Sequence, residues 1–120
     1  MVDEQKITWF HGHFKPYVVV GWRMGECALR LLGAKRHELA ITSAMGTETP
    51  TTCVLDGLQL STGSTIGNGL LKVLGGREMW ASFTYKGKRL DMKVKDFKYD
   101  LDHVLKAEDE ALFDWSWSHA

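Results

Sequence analysis

This chain has little cysteine, little proline and no excess of either charge. There are two cysteines, Cys27 and Cys53, and no CxxC pair. Two thiols cannot staple a chain of 120 residues, so a disulfide scaffold, a zinc ribbon and a thioredoxin-type redox centre are excluded. Lys+Arg and Asp+Glu both number 15, giving a formal net charge of zero. That balance lacks the electrostatic footprint of a nucleic-acid binder or of a polybasic membrane anchor. Every apolar run is cut by Arg, Glu or Gly well short of the roughly 20 residues a membrane span needs. The opening MVDEQKITWF carries acid early and has no apolar core, so it does not read as a signal peptide. A reducing, cytoplasmic setting is therefore expected, with neither nucleic acid nor membrane as partner.

What is present is ordinary for a folded domain: 44% hydrophobic and 25% charged residues, with no repeat and no low-complexity linker. Residues 3–9 suit a short helix that would bury Val2, Ile7 and Phe10. Pro16 fits the first turn of a helix, where its missing N–H is no loss. From there to Leu32, Val18, Val19, Val20, Met24, Ala28, Leu31 and Leu32 recur at helical spacing on more than one face, and Gly33 is a natural stop. Gly21 and Gly25 lie four apart and would admit a closely packed neighbour.

Residues 38–45, ELAITSAM, alternate as a strand with Leu39, Ile41 and Ser43 on one face. GTETPTT turns into a second helix, capped by Thr49 or Thr51, with Pro50 in its first turn and Cys53, Val54, Leu55, Leu58 and Leu60 along it. EMWASFTY and RLDMKVKDF, joined by KGK, read as a β-hairpin. Residues 100–113 read as one closing amphipathic helix. The final DWSWSHA alternates tryptophan with serine, as a strand or as an arm laid on a partner chain. The expected architecture is α+β, with helices packed on a small, mostly antiparallel sheet. Residues 1–113 form the single domain, and 114–120 a Trp-rich tail.

Four clusters carry chemistry. His11-x-His13 would point two imidazoles the same way in an extended segment, where they could share a divalent metal; the alternative is a helix-capping histidine beside an exposed one. Lys15 stands where a helix dipole favours anions, and next to it Tyr17 has a phenolic donor. Cys53-x-x-Asp56-x-x-Gln59 runs along one helical face; its plain reading is a small buried thiol and a hydrogen-bonded carboxylate. The loop GSTIGNG fails the P-loop and GxGxxG templates, though its amides could line a small anion pocket.

The order of these pieces is more specific than any one of them. HGHFKPYVVVGWRMG, then TTCVLDGLQLSTGSTIGNG, then an alternating strand, resembles the FmdE-like proteins, the family named for the FmdE component of formylmethanofuran dehydrogenase. Its first motif reads HGHxCPG followed by GxRMG, and its second CxxDAIQxxTGCTxGKGN. His11, Gly12, His13, Pro16, Gly21, Arg23, Met24 and Gly25 match the first. Cys53, Asp56, Gln59, Thr62, Gly63, Thr65, Gly67 and either Asn68 or Gly69 match the second, and the likeness spans roughly residues 8–96. Two motif cysteines are replaced, one by Lys15 and one by Ser64. No cysteine follows Cys53, so the C-terminal zinc-ribbon segment of larger members is not expected.

The resemblance implies an α+β core, usually dimeric, with a cleft where the motifs meet and a metal such as zinc, nickel or iron near its Cys and His residues. With the two replacements, the remaining ligand set is His11, His13 and Cys53. The primary expectation is a homodimer whose pocket of His11, His13, Lys15, Cys53 and Asp56 binds a small molecule, with or without a divalent metal. A second reading is a metal-independent enzyme: Lys15 as acid–base or Schiff-base group, Asp56 holding it, His13 as proton partner, and Tyr17 donating to an oxyanion. A third is an accessory or metal-delivery component of a larger oxidoreductase.

Overall fold

The computed structural model describes residues 1–119. Its elements run α1 (Glu4–His11), α2 (Pro16–Leu32), β1 (Ala40–Ser43), α3 (Thr51–Thr62), β2 (Leu71–Val73), β3 (Trp80–Tyr85), β4 (Lys88–Val94), α4 (Leu101–Lys106), α5 (Asp109–Leu112) and β5 (Phe113–His119). The strands form one sheet in the order β2-β1-β3-β4-β5. Only β1 and β2 pair in parallel; the other three pairings are antiparallel. The expected α+β architecture is therefore the one observed. The hairpin turns through Lys86 and Gly87, both at positive φ, as a two-residue turn of the hand that matches strand twist.

One face of the sheet carries Leu39, Ile41, Ser43, Ala81, Phe83, Leu90, Met92 and Val94, all buried, as the alternation predicts. The helices cover that face. The opposite face leaves Thr84 and Arg89 at the surface beside the less exposed Ser82 and Asp91. Val18, Val19, Val20, Met24 and Ala28 of α2 are fully enclosed between α3 and the sheet.

The closest packing in the molecule is between α2 and α3. A Cβ at Gly21 would lie inside the carbonyl of Val54, one at Gly57 inside the carbonyl of Val18, and one at Gly25 inside the Ser61 hydroxyl. Hydrogen alone fits at all three positions. Because contacts advance from Gly21–Val54 to Gly25–Ser61, the two helices run in the same sense. Their N-terminal ends therefore lie together.

Several local expectations are revised. Helix α1 runs on to His11; it buries Ile7 but leaves Phe10 exposed. Pro50 sits one place before the first turn of α3, and no side chain caps that helix. Residues 100–113 do not form one helix. Ala107 and Glu108 are extended, so the segment breaks into α4 and α5. The break is held by Arg23, whose guanidinium donates to the carbonyls of Val104 (2.9 Å) and Ala107 and to the Asp109 carboxylate. The short strand β2 has no counterpart in the sequence reading, since LKV is too brief to alternate visibly. Residues 113–119 are not a separate arm: they pair with β4 along their whole length, with Trp115 opposite Met92 and Trp117 opposite Leu90.

Replacing Gly57 by Ala should lower unfolding stability by about 1–3 kcal/mol, as overpacking does in tight interiors. Gly67→Ala is the control, because Gly67 has no contact tighter than 3.8 Å. Urea denaturation of both variants measures the difference; equal stabilities would show that α2 and α3 can separate freely.

Candidate metal and ligand site

His11 ends α1, and the chain then reverses through Gly12, which is left-handed at φ 95°. That turn, rather than an extended segment, brings the two imidazoles together. Their rings meet edge to face with centroids 4.4 Å apart. Cys53 arrives from the first turn of α3. One ligand atom each from His11, His13 and Cys53 lie within 4.8 Å of one another.

Asp56 is one turn further along α3, and its carboxylate accepts a 2.6 Å hydrogen bond from Nδ1 of His11. A carboxylate only accepts here, so Nδ1 carries the proton; in the neutral imidazole Nε2 then presents a lone pair. That Nε2 is buried and has no hydrogen-bond partner among the described residues. The His11 side chain is only 10% exposed. A carboxylate that fixes one imidazole nitrogen while the other stands free is compatible with the outer half of a metal–histidine–carboxylate arrangement.

The donor set fits a divalent metal. Tetrahedral zinc with bonds of about 2.0–2.3 Å holds its ligand atoms roughly 3.3–3.8 Å apart, so the observed spread needs a closure of about 1 Å. Two imidazoles and one thiol suit zinc, nickel or iron and leave a fourth position open. Residue charges are consistent with this. Partial desolvation of the largely exposed His13 ring, then the neighbouring His11 and Lys15, lower its pKa, favouring the neutral form. Burial and the Asp56 carboxylate raise that of Cys53, favouring the protonated thiol in the absence of a cation.

The remaining expected residues are placed as follows. Lys15 is the N-cap residue of α2, with its side chain exposed and in no ion pair among the described residues. Asp56 pairs with His11 and not with Lys15. Tyr17 is half-buried, with its ring against Phe97 and Tyr99 at 5.2 and 5.5 Å. Ser64, in the place of a motif cysteine, is fully buried and donates to the Leu39 carbonyl at 2.6 Å. It ties the end of α3 to the strand layer. The GSTIGNG loop is closed on itself: Asn68 Oδ1 accepts from the amides of Thr65 and Leu70, and Asn68 Nδ2 donates to the Gly63 carbonyl. Those amides are not available to an anion.

The histidine–cysteine group opens at the surface, with His13 exposed. A well-formed recess lies elsewhere, about 360 Å³ in volume, between Trp80 and Trp115 at the sheet. Two roles have no signal in the sequence. Asp56 orients a histidine, which depends on a contact across 45 residues. Arg23 anchors the segment after α4, 81–86 residues away.

Comparison with known proteins agrees with this fold. A 64-residue stretch, 52% of the chain, is 36% identical to a probable S-adenosyl-L-methionine-binding protein of Archaeoglobus fulgidus. It spans only 18% of that relative's length. The crystal structure of a tungsten formylmethanofuran dehydrogenase FmdE-like protein from Syntrophus aciditrophicus superposes with a TM-score of 0.70 at 23% identity, over 97% of this chain and 70% of that one. It shares the fold. The family model described as FmdE, molybdenum formylmethanofuran dehydrogenase operon, matches residues 10–117. The chain therefore belongs to the FmdE family.

Proposed function

We propose that this protein binds a divalent metal through His11, His13 and Cys53, and uses the open coordination position to bind a small molecule. The observation that carries the reading is the buried, unpartnered Nε2 of His11, held in place by Asp56. Burying that nitrogen unpaired carries a cost that a bound cation would offset. When bound, the metal supplies Lewis acidity and a directional contact for a ligand atom. His11 and His13 hold it as neutral donors, Cys53 as thiolate, and Asp56 keeps the His11 ring in the ligating tautomer. The Archaeoglobus relative makes S-adenosyl-L-methionine a reasonable probe among others.

Adding cobalt(II) to metal-free protein should produce thiolate-to-metal absorption in the near ultraviolet and the visible bands of a four-coordinate ion. Cys53→Ser should abolish the first. Asp56→Asn should weaken cobalt binding by about 10–100-fold without unfolding the chain. A wild-type protein that shows no thiolate band would end the metal reading.

Thiol labelling provides an independent check. Cys27 is buried and its thiol pushed up to about 12, chiefly by burial and then by Asp109. Cys53 is only half-buried. In the folded protein one thiol should react with an alkylating reagent at mildly alkaline pH, and zinc should protect it. Peptide mapping that finds Cys27 labelled first would contradict this assignment.

We infer that the working form is a homodimer. Strand β5 lies at the edge of the sheet with its outer side unpaired, and Trp117 is 49% exposed. Light scattering at micromolar concentration should report twice the chain mass, and Trp117→Glu should shift it towards the monomer. A wild-type monomer would rule this assembly out.

A further inference from the structure

We propose that the small molecule taken at this site is a monocarboxylate, with Lys15 as the residue that selects it. The proposal rests on the metal reading for its open coordination position. It adds the charge of the ligand and the group that recognises it.

The first argument is the sum of charges. A divalent metal, the Cys53 thiolate, the Asp56 carboxylate and the Lys15 ammonium leave one positive charge in excess. A single carboxylate brings the site to neutrality. A dianion would overshoot and face Asp56, whose carboxylate is already on the His11 side of the group.

The second argument is the way α2 begins. Lys15 is its N-cap residue, no side chain caps the helix, and no acid lies in its first turn. The N-terminal end of a helix carries partial positive charge, so an ammonium there is unfavourable and an anion favourable. Helix α3 likewise starts without a side-chain cap and without acid in its first turn. Since α2 and α3 run in the same sense, both positive ends are on the side of the molecule that holds His13 and Cys53. Nothing among the described residues neutralises Lys15. The first-turn N–H groups of Tyr17 and Val18 have no side-chain acceptor.

The third argument is independent of helix ends. The buried lone pair of His11 points to a cation at this position, and the three donors leave it coordinatively incomplete. A carboxylate oxygen completes the set while its partner oxygen accepts from Lys15. Because the site is open at the surface, charge and coordination, rather than enclosure, would provide the affinity.

The test uses cobalt-loaded protein, titrated separately with acetate, inorganic phosphate and neutral imidazole and followed through the visible bands. Acetate should shift the bands saturably and bind more tightly than phosphate. Lys15→Gln should weaken acetate about tenfold, the size of one charge-assisted contact, and leave imidazole unchanged. Lys15→Arg should restore acetate binding. Equal acetate affinity in wild type and Lys15→Gln, or a preference for phosphate, would overturn the proposal while the metal reading stands. If cobalt does not bind at all, the metal reading fails instead. Amide shifts of Tyr17 and Val18 on adding acetate to metal-free protein then decide: shifts lost in Lys15→Gln uphold Lys15 as the anion residue, and absent shifts reject it.

Discussion

The contact on which the rest depends is the crossing of α2 and α3. Gly21, Gly25 and Gly57 let the two backbones approach until carbonyl and hydroxyl oxygens occupy the space where side chains would begin. Such contact cannot relax by a rotamer change, because two of the three obstacles are backbone. It also sets the site. His11 and His13 precede α2, while Cys53 and Asp56 lie in the first turns of α3. Two helices running in the same sense, locked at this distance, bring the two imidazoles to the thiol and the carboxylate. A separation of even an ångström would break a 2.6 Å hydrogen bond between His11 and Asp56.

The electrostatics of that junction make it unfinished rather than merely polar. Two helix N-termini meet there without side-chain caps, and each would ordinarily attract Ser, Thr, Asp or Asn. Instead the chain places imidazoles, a thiol and an ammonium nearby. Without a cation the Cys53 thiol is held in its protonated form by burial and by Asp56. The carboxylate that raises the Cys53 pKa is also the one that orients His11. One group thus disfavours the empty thiolate and prepares the imidazole, and a metal turns both effects to advantage.

Much of the fold is legible in the sequence because its elements have clear periods. Leu39, Ile41 and Ser43 share a buried face as their alternation requires, and the pair of glycines in α2 does mark the close neighbour. The first site motif is legible as a group of residues but not as a geometry. His11 and His13 come together through a helix end and a left-handed glycine, and spacing alone does not distinguish this from an extended segment. Charge alone would pair Asp56 with Lys15; its actual partner is fixed by where α1 ends against α3. The split of residues 100–113 depends on Arg23, a contact too distant in sequence for any local pattern to register. The tail reads equally as a strand or an arm, and the choice belongs to β4, whose free edge accepts it.

The two replaced motif cysteines show why matched positions should not be assigned one common role. Ser64 has been absorbed into the interior: its hydroxyl is fully buried and hydrogen-bonded to the Leu39 carbonyl. It is a hydrogen-bond donor in a place with no room for a ligand, and its neighbours are satisfied. Lys15 has not been absorbed. It is exposed, it begins a helix whose dipole opposes its charge, and no carboxylate answers it among the described residues. An ammonium that opposes the helix dipole and has no internal partner is what the proposed anion would answer. The buried lone pair of His11 a few residues earlier likewise has no partner among the described residues. One calls for a cation and the other for an anion. The occupant proposed above, a metal carrying a negatively charged ligand, would answer both.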